Sequence, residues 1–306
     1  MSQCLPTGGF KWLTDKEIDK VDLAKYKDDS STGPILEVDL EYAEELHDQH
    51  NYPLAPEQLE VTGDMLSDYC KRIQASLSVS SVSVKKLIPN LIDKSKYILH
   101  YRNLQLYLSL GLKIKTVHRV LRFTQSPWLK QYINFNTDKR THAKNAFEKD
   151  FFKLTNNSVF GKTMWCIRKR VDVRLVTNVK KLLRMTSNLT FVGSKIFNEN
   201  LVAVHKIKET LVLNRPAYVE MCILGLSKMS MYDFHYKYIL TRYPGHKSKL
   251  LFTDTDSLIY EIKAEDVYKD FYEDKHVFDN SDYPESSPFH FSDNKKVIGK
   301  MKDEAV

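Results

Sequence analysis

Cysteine is scarce in this chain of 306 residues: four are present, Cys4, Cys70, Cys166 and Cys222, with no CxxC pair and no Cys/His metal-ligand spacing. That excludes a zinc ribbon or finger. It also points away from a disulfide-stapled secreted scaffold, toward single thiols in a reducing, intracellular compartment, with nucleus and cytoplasm not distinguished. Long apolar runs are missing too. Nothing approaches the ~18 consecutive apolar residues of a membrane-spanning helix, so no membrane partner is expected. The segment Met1 to Phe10 lacks the basic-then-apolar order of a secretory signal. No internal repeat is visible. Aromatics, by contrast, are plentiful: 15 Phe and 17 Tyr within a 42% apolar fraction, enough for a sizeable core and against general disorder. The length suits one large domain or two ordinary ones.

The net charge of +7 hides an asymmetry. Residues 101–215 carry 23 Lys and Arg against 6 Asp and Glu, whereas residues 1–100 carry 11 against 17 and residues 216–306 carry 12 against 16. A basic middle between acidic flanks suggests a surface for a polyanion, although a solvated basic face has the same composition. Tyr101, Tyr107, Phe123, Trp128, Tyr132 and Phe135 are interleaved there, either to stack on bases or to fill a core.

Ile35 to Tyr42 alternates apolar and acidic residues, a half-buried strand with Glu37, Asp39 and Glu41 on one solvated face. A Pro-containing loop (Tyr52 to Pro56) precedes a helix expected over about 64–76, and Ser78 to Ser83 is ambiguous. Lys96 to Tyr101 and Thr116 to Phe123 read as strands around a short helix, Asn103 to Leu110, closed by Gly111. One helical pattern runs from Thr137 to about Met164. Short β-rich pieces follow at Asp172 to Thr177, Leu189 to Val192 and Leu201 to Val204, and a second long helix is expected from Pro216 to about Tyr238. Leu250 to Ile262 has two apolar arms around a polar centre, a β-hairpin with a functional turn.

Two local patterns carry chemistry. Lys153, Asn157 and Phe160 recur at helical spacing and so share one face, offering an ammonium, a carboxamide and a flat ring, while Gly161 leaves room for a close-approaching partner. Extending that face backwards adds Lys149, Ala146, His142 and Lys139; an amphipathic helix with Phe160 in the core is the plainer reading. Asp254-Thr-Asp256, at the centre of the hairpin, places two carboxylates at i and i+2, where a strand would face both to one side and let them share a divalent cation. Asp is common in turns, but these flanks are apolar strand formers.

The order K-x3-N-S-x-F-G (Lys153 to Gly161), an intervening helix, then D-T-D-S (Asp254 to Ser257) resembles motifs B and C of family B DNA polymerases of the protein-primed viral, plasmid and transposon type. Tyr101-Arg-Asn-Leu, Phe123 to Trp128, Asn145 to Lys153 and Ile298-Gly-Lys-Met-Lys302 extend the resemblance through most of the chain. The resemblance implies an α+β fold, an incomplete antiparallel palm sheet with helical fingers and an insertion. Its expected divisions are 1–29 following motif A, 30–95 as a palm insertion of the terminal-protein-region kind, 96–136 as the approach to the fingers, 137–170 as fingers with motif B, 171–215 as a second β-rich insertion, and 216–306 as palm with motif C. It implies DNA-templated addition of deoxynucleotides to a primer by two-metal phosphoryl transfer, with Mg2+ or Mn2+, dNTPs, primer–template DNA and a terminal priming protein as partners.

By the same resemblance Asp254 and Asp256 are metal ligands, with Thr255 and Ser257 near the primer terminus. Lys153 contacts the incoming triphosphate, assisted by Arg140 or Lys144; Asn157 positions the nucleotide, and Phe160 lies under the nascent base pair. Gly161 and Lys162 meet the template, and Lys300 the primer, with Lys302 in a departure from the usual K-x-Y. Met1 to Phe10 looks like the segment after motif A, which would put the motif A aspartate upstream, and neither exonuclease nor thumb is recognisable. The fragment alone is therefore expected to be inactive. Two rival readings are a relic that only binds nucleic acid and a two-carboxylate nuclease with Glu261 as its further acid.

Overall fold

A computed structural model describes residues 1–77 and 85–304. In chain order the first part comprises β1 (Leu5–Trp12), α1 (Asp15–Ile18), β2 (Thr32–Glu41), β3 (Glu57–Glu60), α2 (Asp68–Leu77), β4 (Lys85–Ile88), β5 (Lys94–His100), α3 (Tyr101–Ser109) and β6 (Lys113–Ser126). Then come α4 (Lys130–Thr141), α5 (Ala146–Thr163), β7 (Asp172–Val176), α6 (Val179–Thr186), β8 (Phe191–Asn198) and β9 (Leu201–Lys206). The last part is α7 (Ala217–Asp233), a π-helical turn (Phe234–Ile239), α8 (Leu240–Arg242), β10 (Ser248–Asp254), β11 (Ser257–Ile262) and α9 (Val267–Glu273). The fold is α+β, and its sheets are antiparallel.

β2 alternates as its sequence demands: Leu36, Val38 and Leu40 are buried, while Glu37, Asp39 and Glu41 point outward. It lies inside a four-stranded sheet of order β1-β6-β2-β5. Both of its sheet neighbours, β6 and β5, pair with it antiparallel. The apolar face of β2 packs on Leu104 and Tyr107 of α3 and Tyr232 of α7. A second core gathers Leu5 and Phe123 with Leu129 and Ile133 around α4, and Val219, Cys222 and Leu226 of α7. α3 and α7 meet closely where Asn103 Nδ2 donates to the Gly225 carbonyl at 2.8 Å. Of the six interleaved aromatics, Tyr101, Tyr107 and Phe123 are core, whereas Trp128, Tyr132 and Phe135 are exposed.

The single helix expected over Thr137 to Met164 is two. α4 ends at Thr141, and α5 restarts at Ala146 because Asn145 caps it, accepting from the Glu148 amide at 2.8 Å. His142 and Lys139 consequently leave the Lys153 face; Lys139 instead lies over the Phe135 ring. The β-rich stretch forms a separate sheet, β7-β9-β8, with α6 over Val176, Val202 and Val204. The expected strand at Leu189 begins later, at Phe191, after a turn in which Asn188 Oδ1 accepts from the Thr190 amide. The helix expected at 64–76 is α2, shifted toward Leu77, and Ser78 to Ser83 lies outside the described residues. Among the described residues, Ile298 to Lys302 forms no strand and makes a single bridge, Phe278 to Met301. Gly299 at φ +90° and Lys296 at φ +57° turn the backbone there instead of extending it.

Candidate functional site

The hairpin register sets Asp254 opposite Ser257, leaving Thr255 and Asp256 as a two-residue loop. Strand alternation therefore stops at Asp254, and the turn, not the pleat, places Asp256. Thr255 sits in the left-handed region at φ +48°, an uncommon and strained setting for a β-branched residue. Its Oγ1 donates to Asp254 Oδ1 at 3.1 Å, and Ser257 Oγ donates to the Asp254 carbonyl at 3.0 Å. Both carboxylates are exposed, and among the described residues neither has a cationic partner.

One face of the hairpin is anchored. Leu250 and Leu258 pack on the first core, and the Thr253 side chain hydrogen-bonds Tyr52. Beneath them the π-helical turn carries His235, which is fully buried, with Nδ1 2.9 Å from the Tyr260 hydroxyl and Nε2 2.7 Å from Asn51 Oδ1. Burial, then the nearby His50, lowers the His235 pKa from 6.5 to about 4. The neutral ring has one N–H, and the Asn51 carbonyl oxygen only accepts, so Nε2–H donates to Asn51 and Nδ1 accepts from Tyr260. Burial likewise raises the Tyr260 hydroxyl, which stays a donor. The other face leaves Leu251, Phe252 and Ile259 exposed.

On α5, Lys153 and Asn157 are exposed, and Phe160 is half-buried against the second core. The plain amphipathic reading, with Phe160 in the core, is met only in part, because the ring is not fully buried. Gly161 is exposed, and a Cβ there would meet nothing within 4 Å, so the chain's own packing does not require glycine. Lys162 Nζ lies 3.9 Å from the centroid of Trp165, a residue the sequence reading did not single out. Lys144 is exposed at the α4–α5 break. Arg140 is half-buried, its Nε lacks a hydrogen-bond partner among the described residues, and its carbonyl accepts from Lys296 Nζ at 3.2 Å.

The two remaining cations are engaged inside the chain. Lys300 Nζ donates to the His276 carbonyl, and Lys302 pairs with Asp282 at 2.5 Å. Two acids of the β2 face are engaged as well: Glu37 pairs with Arg119, and Asp39 binds His118 at 2.8 Å and the Lys96 amide at 2.7 Å. These partners hold both carboxyls below the usual carboxylate range. Among the described residues, no group of three or more His, Cys, Asp and Glu is placed to hold a metal. No described hydrogen bond or ion pair joins α5 to the hairpin; α7 with its π-helical continuation packs against both.

No family model matches the sequence, and no curated protein matches it. Solved structures similar to the chain include Phi29 DNA polymerase complexed with primer–template DNA, at 15% identity and TM-score 0.44, covering 88% of this chain and 37% of that one. Another is the orthorhombic crystal form of Phi29 DNA polymerase, at 16% identity and TM-score 0.45, covering 88% and 38%. The chain thus spans under two fifths of the length of these structures. At such identity and TM-score the likeness carries no functional argument. No helix among the described residues is long and apolar enough to cross a membrane.

Proposed function

We propose that the chain is a DNA-directed DNA polymerase chain of family B, protein-primed type, and that its own residues handle the nucleotide and the template. The observation that carries the reading is the pairing of two motifs in sequence order: Lys153, Asn157 and Phe160 on an accessible helix face, then unpaired Asp254 and Asp256 at a hairpin tip. Lys153 binds the triphosphate as a point charge, Asn157 orients the nucleotide, and the accessible edge of Phe160 lies under the new base pair. Arg140 and Lys144 stand at the α4–α5 break, two turns before Lys153. Thr255 holds the Asp254 carboxylate and Ser257 its backbone carbonyl, and both stand near the primer end.

Two exposed carboxylates are hard oxygen donors suited to Mg2+ or Mn2+, and they fit one hydrated cation. Asp254 and Asp256 would hold it, and a divalent cation supplies charge stabilisation to the attacking and leaving oxygens of phosphoryl transfer. With no third carboxylate beside them among the described residues, residues 1–306 by themselves are expected to extend a primer no faster than Asp254→Asn. The nuclease alternative needs Glu261, which faces Lys249 four positions along β11 from the tip, on the order of 13 Å away at strand spacing.

Template-directed nucleotide binding tests the proposal without requiring turnover. On primer–template DNA, a fluorescent dNTP complementary to the templating base should bind at least about tenfold tighter than a mismatched one. Lys153→Ala should abolish that binding. Equal affinity for matched and mismatched dNTPs would leave a nucleic-acid binder without polymerase character.

A further inference from the structure

Just beyond α5, Trp165 collects cations from three separate positions. Lys162 Nζ is 3.9 Å, Arg170 Cζ 5.0 Å and Arg215 Cζ 5.8 Å from its ring centroid, all within cation–π reach. The residues come from different places: the last turn of α5, the loop before β7, and the segment entering α7. Trp165 is itself 39% exposed. Among the described residues none of the three cations pairs with a carboxylate. The Arg215 guanidinium turns one nitrogen to Asn214 Oδ1 at 2.9 Å, while its buried Nε has no partner. Arg168 and Lys169, which precede Arg170 in the chain, are both exposed and add two further cations to this segment.

Like charges repel, and a helix C-terminus offsets at most the charge nearest to it, here Lys162. Arg170 and Arg215 have no such compensation. The indole's π-system is what draws three cations to one ring, and an anion is the missing counterpart. The size of the positive surface decides which anion. A free triphosphate would need one compact pocket, whereas these cations surround a part-exposed indole and the neighbouring Arg168 and Lys169 are exposed too, which suits a chain of phosphates.

We propose that Trp165 is the hub of a phosphodiester clamp, in which Lys162, Arg170 and Arg215 grip the backbone of a nucleic-acid strand and Trp165 positions them without contributing charge. The proposal rests on the reading that the chain binds nucleic acid, and it adds a site outside the Lys153 face and the hairpin.

Binding of fluorescein-labelled oligothymidylate, and of a duplex of equal length, is measured by anisotropy over a salt series with the full chain. Replacing Lys162, Arg170 and Arg215 together by Ala should lower the slope of log affinity against log salt by about two to three, because each lost contact spares a counterion. Trp165→Ala, which removes no charge, should weaken binding about tenfold at low salt, and Trp165→Phe should restore most of it. Circular dichroism and the urea midpoint establish that each variant is folded. If the triple variant keeps the parental slope while the parent binds, the clamp is overturned and DNA binding lies elsewhere. If the parent binds neither DNA, both the clamp and the nucleic-acid reading fall. If dTTP displaces the oligonucleotide in the parent but not in the triple variant, the cluster is a nucleotide site and the backbone assignment is overturned.

Discussion

His235 accepts a hydrogen bond at Nδ1 from the Tyr260 hydroxyl, 2.9 Å away, and so ties the π-helical turn to the strand that leaves the Asp254 loop. A π-helical turn inserts an extra residue into the helical register, and here it brings the imidazole under β11. Asn51 holds the opposite ring nitrogen at 2.7 Å. The hairpin is therefore fixed at its base while its tip stays open.

Tyr260→Phe deletes the only donor to His235 Nδ1 among the described residues and leaves the ring's packing in place. The expected loss is about 1–3 kcal/mol of stability, the cost of a buried acceptor without a partner. A shift of the urea midpoint with an unchanged m-value checks it. No shift would mean that water or another group serves His235.

The same histidine makes stability depend on pH. Its folded pKa of about 4 lies below the ordinary 6.5, so as pH falls below about 6.5 the unfolded chain takes up the proton first. Stability is thus complete above that value, declines as pH falls toward 4, and levels off below it. His100, lowered to about 3 by burial and then by Arg102, acts in the same direction over a wider window. Together they should remove on the order of 3 kcal/mol or more between neutral pH and pH 4. His235→Asn should flatten the upper part of this profile, as read from urea midpoints at several pH values.

Thr255 holds a left-handed backbone that disfavours β-branched side chains. Thr255→Asn should relieve this strain and raise stability by up to about 1 kcal/mol, since Asn tolerates that region. In a protein that handles a primer terminus at this loop, the same change should weaken matched-nucleotide binding. Greater stability with weaker nucleotide binding is the expected pair of results, from a thermal melt and the nucleotide titration.

Lys153→Ala should leave affinity for primer–template DNA within about twofold when no nucleotide is present, because the partner proposed for it is a nucleotide phosphate. Loss of DNA binding without nucleotide would move Lys153 to the DNA contact surface. Parental DNA binding should itself fall steeply with salt, given 23 basic against 6 acidic residues over 101–215.

Much of this architecture is legible in the residues. The alternation of Ile35 to Tyr42 and the apolar arms around Asp254-Thr-Asp256 give β2 and the β10–β11 hairpin directly, because period-two burial leaves a period-two pattern. The α4–α5 break is also written, in Asn145 followed three residues later by Glu148, but no Pro or Gly announces it. β1 escaped because Gly8-Gly9 looks like a turn; in the fold the pair forms an irregularity against β6, with Gly9 at φ +63° close to Thr124. The His235–Asn51 bond joins residues 184 apart, and the Trp165 cluster draws Arg215 from beyond a whole three-stranded sheet. No local pattern encodes such meetings; only the tertiary fold makes them.

β6 pairs with both β1 and β2, and its contact with β1 closes a separation of 117 residues between Thr7 and Thr124. During synthesis β1 and β2 therefore emerge long before the strand that lies between them. Until Ser126 is made, Ile35, Leu36, Val38 and Leu40 have at most β5 beside them, and β1 has no neighbour in its sheet. Such a late-closing centre makes for slow folding by chain topology. A ribosome paused before β6 would display a sticky half-sheet, the state in which this chain most needs a chaperone.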